Sequence, residues 1–174
     1  MRSHDPGLST AELRSSSASA LELTWTLAWS DLGGTLGLDE APLGVLDPHE
    51  LAASRELLAR FAREAARLGA DEAPTTVSVE SGPEPNDLVL RLTWHELRPT
   101  QLELSALLEL PRGHRVAFRD LRAPDAELQL LHANAARAHL SVPTAPTEPP
   151  ATWQPALLFS AGLLLLLVLS HLRR

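Results

Sequence analysis

The chain has 174 residues, enough for one ordinary domain, and carries 22 acidic side chains against 15 basic ones, all of them arginine. The formal charge of −7 excludes the basic footprint of a nucleic-acid-binding protein. The absence of cysteine excludes thiol catalysis, disulfides and cysteine-ligated zinc.

The first strong structural signal is the segment 20–32, where apolar and polar side chains alternate. A period of two predicts a half-buried strand. Trp25 and Trp29 fall on its apolar face, so we expect both in the core. A weaker strand, 8–14, precedes it across a serine-rich turn at 15–17.

One long helix, 48–68, is predicted next. Asp47 suits the N-cap, and Pro48 suits the first helical position. Glu50 suits the third helical position of a capping box, in which its carboxylate accepts a hydrogen bond from the Asp47 N–H. An apolar stripe with a period near 3.6 follows, and Gly69 suits a helix end.

The loop entering this helix has the outline of an EF-hand calcium loop. Asp39, Asp47 and Glu50 occupy positions 1, 9 and 12, but Ala41 and Leu43 replace oxygen ligands at positions 3 and 5. We therefore interpret it as a connector that keeps the shape of a calcium loop. Asp39, Asp47 and Glu50 are the candidate ligands if calcium binds, and no other cofactor is expected.

Short strands follow at a spacing of roughly ten residues, separated by turn-forming Gly, Pro, Asn and Asp. Leu128 and Leu130 keep the two-residue period in the last of them, and 134–139 fits either a strand or a short helix. The pattern favours an antiparallel β-sandwich with the helix covering one sheet edge or face. The predicted strands are 75–81, 88–95, 101–110, 115–121 and 126–132.

No catalytic signature is visible. The seven histidines show no compact metal-ligand spacing, no Gly-x-Ser-x-Gly is present, and no Ser/His/Asp grouping stands out in the sequence. The sequence therefore predicts a protein that is not an enzyme.

The composition changes after residue 141. A proline-rich stalk is predicted over 142–154, followed by a transmembrane helix over 155–172 that contains no charged side chain. About 18 helical residues span about 27 Å, close to the hydrocarbon thickness of a bilayer. The predicted anchor runs from Pro155 through Leu163, Leu167 and Leu172 to Arg173 and Arg174.

The arginine pair at 173–174 belongs in the cytoplasm by the positive-inside rule, which places residues 1–152 outside. Residues 1–172 contain all 22 acidic and 13 of the 15 basic side chains, a net charge of −9. The composition suggests a bacterial source. The first residues have no apolar signal-peptide core, so we expect that a leader is missing from this chain. The predicted location is a bacterial cell membrane, with a single pass.

Three stretches resemble the extracytoplasmic N-terminal domain of HupE/UreJ-type membrane proteins, which are hydrogenase or urease accessory proteins. They are the run Trp-Thr-Leu-Ala-Trp-Ser-Asp-Leu at 25–32, Leu-Gly-Leu-Asp at 36–39, and Glu50-Leu51 leading into the helix. Residues 4–9 also resemble the mature start of such proteins. The resemblance implies a strand, an EF-hand-like loop, a helix and several further strands.

The resemblance ends where the family's multi-helix membrane domain would begin. Pro155 and Ala156 stand where an Asp-His pair is expected, and a permease requires polar ligands within a helical bundle. A transport function therefore does not carry over to this chain.

Three functional hypotheses remain. The first is a non-enzymatic, membrane-anchored extracytoplasmic accessory or interaction domain, whose partners are membrane lipid through the terminal helix and another membrane or exported protein. The second is a metal-handling module, acting through the EF-hand-like loop or as an accessory to a separate nickel or divalent-metal transporter. The third is a surface protein whose C-terminal tail is a processed sorting signal.

Overall fold

The computed structural model describes residues 7–17, 19–38, 47–69, 71–95 and 99–140. These residues form nine strands, two α-helices and one 3-10 helix, so the described part of the chain is mainly β as predicted. The strands are β1 Leu8–Ser17, β2 Ala20–Ala28, β3 Arg67–Leu68, β4 Thr76–Ser81, β5 Asp87–His95, β6 Gln101–Glu103, β7 Arg115–Asp120, β8 Gln129–His132 and β9 Arg137–His139. The helices are α1 Trp29–Leu36, α2 Pro48–Ala65 and the 3-10 helix Ser105–Leu108.

Six strands form one mixed sheet in the order β4-β5-β2-β1-β7-β8, and three form a small antiparallel sheet in the order β3-β6-β9. The prediction of an entirely antiparallel fold is wrong, because β1 and β7 pair in parallel. The chain enters both strands at the same end of the sheet, where the Arg115 N–H donates to the Gly7 carbonyl at 2.8 Å. Residue alternation carries no information about strand direction, so this pairing is not visible in the sequence.

The alternation in β2 correctly predicts the buried positions Trp25 and Trp29, which are 0% and 2% exposed. The predicted strand, however, ends at Ala28, and Trp29 begins α1. Trp29 and Leu32 are three residues apart, a helical spacing, and both are buried in α1. This helix ends with Gly37 in the left-handed conformation, at φ 65°.

Helix α2 begins at Pro48 as predicted but ends at Ala65, not at residue 68. Ala66 has extended backbone angles, and Leu68 is fully buried in β3, where it pairs with Leu102 of β6. Pairing within the small sheet therefore overrides the helical periodicity. Gly69 is left-handed, as expected, but it follows a strand.

Two later elements also differ from the predicted spans, and a third resolves an open alternative. Segment 101–110 is a strand only to Glu103 and then turns into the 3-10 helix, where the consecutive Ala106 and Leu107 are both buried, a pattern that no alternating strand permits. The last predicted strand is shorter and begins at Gln129. Segment 134–139, which the sequence left open, contains the strand β9.

The core lies between the inner face of the six-stranded sheet, the apolar side of α2 and the small sheet. Contributions come from Leu23 and Trp25 of the large sheet, Leu58 and Phe61 of α2, and Leu102 of the small sheet. The outer face of the large sheet is polar over β4, β5, β2 and β1. There Glu22 lies 3.5 Å from Arg14 and 3.6 Å from Arg91, which also contacts Glu80 at 3.3 Å.

Several predicted features lie outside the described residues. They are Asp39 with most of the EF-hand-like loop, the stalk 142–154, and the anchor residues Pro155, Leu163, Leu167, Leu172, Arg173 and Arg174. Among the residues that the structure does describe, neither α-helix is both long and apolar enough to cross a bilayer.

Candidate functional site

The two described members of the candidate calcium set serve the start of α2. The Asp47 carboxylate caps the helix by accepting a hydrogen bond from the His49 N–H at 2.7 Å, as predicted for an N-cap. The other half of the capping box does not form, because Glu50 Oε2 is buried and has no hydrogen-bond partner among the described residues. No group of three or more potential metal ligands occurs within the described parts of the chain.

Strand β8 lies at the edge of the large sheet and has an unexpected register. Leu131 is buried at 3% exposure, whereas Leu130 and the preceding Leu128 are 50% and 59% exposed on the outer face. A half-buried strand would ordinarily turn the alternating pair Leu128 and Leu130 toward the core. Here the two leucines are exposed to solvent.

The inward position of Gln129 accounts for this register. Its side-chain amide donates to the His139 carbonyl at 2.7 Å, and its amide oxygen accepts from the His139 N–H at 3.1 Å. One side chain thus satisfies both backbone groups of a residue in β9. Because unpaired backbone groups at a strand edge are costly and invite pairing, this contact favours the register that leaves Leu128 and Leu130 outside.

Two arginines of β7 stand beside these leucines on the outer face. Arg115 and Arg119 are exposed, and neither has a carboxylate within 4.0 Å among the described residues. Ala117 lies between them and pairs with Leu130. We call the group Arg115, Ala117, Arg119, Leu128, Leu130 and His132 the β8 surface.

On the remainder of the same sheet face, Arg14 and Arg91 contact glutamates, and Glu12 of β1 lies level with Arg119 of β7. The opposite edge strand, β4, presents Thr76, Ser78 and Glu80 outward. Polar and charged edge residues are a common protection against unwanted strand pairing. The β8 surface, by contrast, combines exposed apolar area with two exposed arginine side chains.

A second notable cluster is buried at the end of β1. Ser9 Oγ lies 2.9 Å from His114 Nε2 and accepts a hydrogen bond from Trp25 Nε1 at 3.0 Å. His114 Nδ1 lies 3.5 Å from Asp31 Oδ2. With the Trp25 N–H donating to Ser9, the serine hydroxyl is free to donate to Nε2, which assigns the neutral imidazole proton to Nδ1, facing Asp31.

The order of this cluster is that of a nucleophile, a base and an acid. No sequence pattern indicates it, since Ser9 and His114 are 105 residues apart. Its burial differs from that of an active site, because Ser9 is 0% exposed and His114 only 2%. Burial lowers the pKa of His114 below its ordinary value, and the nearby Asp31 charge opposes the shift only in part. The cluster is therefore a buried polar connection between β1, β2, α1 and the start of β7, in which the imidazole is neutral.

A cavity of about 200 Å³ lies beside His114 and is small for a ligand site, since such pockets usually enclose about 300 Å³ or more. His114 Nε2 bonds to Ser9 Oγ, whereas Nδ1 lies 3.5 Å from Asp31 Oδ2 and has no hydrogen-bond partner among the described residues. The lining residues are Leu107, Leu108, Leu110, Pro111, Arg112, Gly113, His114, His132, Ala133 and Asn134.

A further buried ion pair joins Asp120 at the end of β7 to Arg122. Two hydrogen bonds of 2.8 Å link the guanidinium to the two carboxylate oxygens, and both side chains are almost completely buried. This bidentate geometry fixes the turn that follows β7 and leaves neither charged group available to a ligand. Its role is structural.

Comparison with known proteins adds no functional assignment: no protein-family model matches the chain, and no curated protein matches it.

Proposed function

We propose that this chain is a non-enzymatic accessory or interaction domain, anchored in a bacterial membrane and acting on its outer side. The observation that carries the proposal is the β8 surface. There Leu128 is 59% exposed and Leu130 is 50% exposed, at the edge strand β8. Exposed apolar residues on an edge strand are typical of protein docking sites. Two features support an extracytoplasmic location of the domain. They are the resemblance to HupE/UreJ-type N-terminal domains and the apolar segment 155–172.

Burial of the Ser9–His114–Asp31 cluster supports the non-enzymatic part of the proposal. A serine nucleophile must meet its substrate, yet Ser9 is 0% exposed and its oxygen already accepts the Trp25 N–H. We expect a fluorophosphonate probe to leave Ser9 unmodified in the native full-length protein. Stoichiometric labelling of Ser9, located by peptide mass spectrometry, would make the protein a serine hydrolase.

Site-specific photo-crosslinking tests the interaction itself. A photoreactive phenylalanine at position 130, on the β8 surface, is compared in the living host with the same residue at position 78, on the outward face of the opposite edge strand β4. We expect a protein adduct from position 130 and little or none from position 78. No adduct from 130, or equal adducts from both positions, would contradict an interaction role for this surface.

The outward location is tested separately. A reporter that is active only in the cytoplasm, fused after Arg174, should be active, because the arginine pair belongs on the cytoplasmic side. Activity from an export-dependent reporter at the same position would reverse the topology.

Metal handling is the second candidate, favoured by one observation. Glu50 Oε2, the last oxygen donor of the EF-hand-like pattern, is buried without a partner among the described residues. A carboxylate at this position is the bidentate ligand in a working calcium loop. Calorimetric titration of the full-length protein with calcium, nickel and zinc tests it, and a Kd below about 100 μM, or about −5.5 kcal/mol, would favour a metal-handling role.

A further inference from the structure

The cavity beside His114 lies between two turns that are each closed by their own backbone hydrogen bonds. In the turn before β7, the His114 N–H donates to the Pro111 carbonyl at 3.0 Å, and Gly113 takes the left-handed conformation, with φ 88°. In the turn between β8 and β9, His132 and Ala135 exchange backbone hydrogen bonds of 3.3 and 2.8 Å. Because both walls hold their shape without a ligand, the cavity is preformed, as most ligand sites are.

The lining of the cavity divides into an apolar floor and a polar rim. Leu107 and Leu110 are 2% and 5% exposed and form the floor. Arg112, His132 and Asn134 also line the cavity, and all three are exposed at its mouth. Guanidinium, imidazole and amide groups all offer N–H donors. The rim therefore favours a ligand that accepts hydrogen bonds.

The charge of the lining is opposite to that of the chain. Residues 1–172 contain 22 acidic and 13 basic side chains, a net charge of −9, yet none of the described residues that line the cavity is acidic. Glu109, the acid nearest to Arg112 along the chain, does not line it, and neither does Asp31. Arg112 has no carboxylate within 4.0 Å among the described residues. The acceptor that suits this rim is an anion, and a carboxylate matches the geometry of a guanidinium.

The volume of the cavity sets the size of the apolar part of the ligand. The cavity measures about 200 Å³, and an apolar cavity of about 150 Å³ takes up benzene. A single ring or one branched chain therefore fits, whereas a drug-sized ligand does not. Leu108 at the rim is 71% exposed, the largest exposure among the large apolar side chains that the structure describes. A bound apolar group would cover part of this side chain.

We propose that the cavity binds a small apolar monocarboxylate, with one ring or branched chain on the leucine floor and the carboxylate beside Arg112 and Asn134. The ligand is a free acid or the C-terminal residue of a protein chain, since both present an apolar group next to a carboxylate. The cavity shares only His132 with the β8 surface, so the inference does not depend on the proposed interaction role.

Fluorine NMR with 4-fluorobenzoate tests the site in the full-length protein in neutral detergent, with protein-free detergent as the blank. We expect a Kd of about 1 mM or below at low salt, which is an ordinary efficiency for so small a ligand. Benzoate should displace the probe. Acetate and benzamide should displace it at least about tenfold less effectively, because acetate lacks the apolar group and benzamide lacks the charge.

Two variants separate the cavity from other sites on the protein. Arg112→Glu reverses the charge at the rim and should weaken binding of the probe at least about fivefold. Ala133→Trp places a large side chain at the mouth and should also weaken it. Both residues are exposed, so we expect melting temperatures near that of the wild type. The matched control is Arg60→Glu on the exposed side of α2, which should change the Kd less than about twofold.

The absence of probe binding at millimolar concentration, or a Kd that Arg112→Glu leaves unchanged, would overturn the proposal. Displacement by acetate or benzamide as effective as displacement by benzoate would overturn it as well, since the site would then not select an apolar acid.

A peptide competitor distinguishes the two sources of the ligand. N-acetyl-glycyl-phenylalanine presents a free C-terminal carboxylate beside an aromatic ring. Stronger displacement by this peptide than by benzoate, lost in its C-terminal amide, would support the proposal with a protein C terminus as the ligand. Stronger displacement by benzoate would support it with a free acid.

Discussion

At the scale of single residues, the buried Ser9–His114 contact is the least expected feature of the molecule. It joins the starts of two parallel strands through a neutral imidazole, and the Trp25 indole completes it. Burial of polar groups is tolerated when they bond to one another, and such contacts then favour a single arrangement of the core.

This cluster predicts a specific dependence of stability on pH. Because the pKa of His114 is lowered in the folded protein, the unfolded chain takes up the proton first. The stability associated with the neutral imidazole is thus complete above the unfolded pKa of about 6.5 and is lost as the pH falls below it.

Urea denaturation at pH 7.5 and 5.5 checks this expectation. The difference in unfolding free energy between wild type and His114→Gln should shrink at the lower pH. A constant difference for His114→Gln would mean that its imidazole is not buried in the neutral form.

Trp25 provides a test of the core at the same scale. Its side chain is fully buried on the inner face of β2, so Trp25→Ala should lower the unfolding free energy by about 3–5 kcal/mol. Thermal and urea denaturation measure the loss. Melting within a few degrees of wild type would contradict the burial of this residue.

At the scale of elements, strands β2 and β8 differ in how far the sequence predicts which face is buried. Between Leu21 and Leu27 of β2, apolar side chains occupy one parity, so the buried face was predictable. In β8, Leu130 and Leu131 are adjacent, and either face is compatible with burial. The contact that decides between them, Gln129 with His139, depends on a pairing between two sheets and leaves no mark on local periodicity.

A pair of neighbouring substitutions tests this register directly. Leu131→Ala removes a buried side chain and should cost about 2–4 kcal/mol. Leu130→Ala removes an exposed one and should change the unfolding free energy by less than about 0.5 kcal/mol. Urea denaturation of both variants measures the difference, and the reverse order of effects would place the strand one residue out of register.

The start of α2 gives a further prediction at this scale. Ala41 and Leu43 offer no side-chain oxygen, so the EF-hand-like loop lacks two of its usual ligands. We expect the melting temperature to be the same in millimolar calcium and in chelator, and Glu50→Gln to shift stability by less than about 1 kcal/mol in either buffer. A calcium-dependent rise of several degrees that Glu50→Gln abolishes would establish a calcium site.

At the scale of the whole molecule, the described residues combine a mixed sheet, a small sheet and two helices around one core, and one sheet edge differs in character from the other. The sequence was sufficient to predict the β-rich class, the long helix and its N-cap, because these depend on local patterns. The parallel pairing of β1 with β7, the exposure of Leu128 and Leu130 and the Ser9–His114 contact depend on residues far apart in the chain. The proposed function rests on these long-range features.

Cysteine accessibility in membranes from the host tests most directly whether a partner covers the β8 surface. The chain contains no cysteine, so a single cysteine at position 130 or at the control position 78 reports on that site alone. We predict that a maleimide reagent labels both positions rapidly in the purified protein, whereas in host membranes it labels position 130 much more slowly and position 78 as before. Equal labelling of position 130 in both preparations would contradict the account.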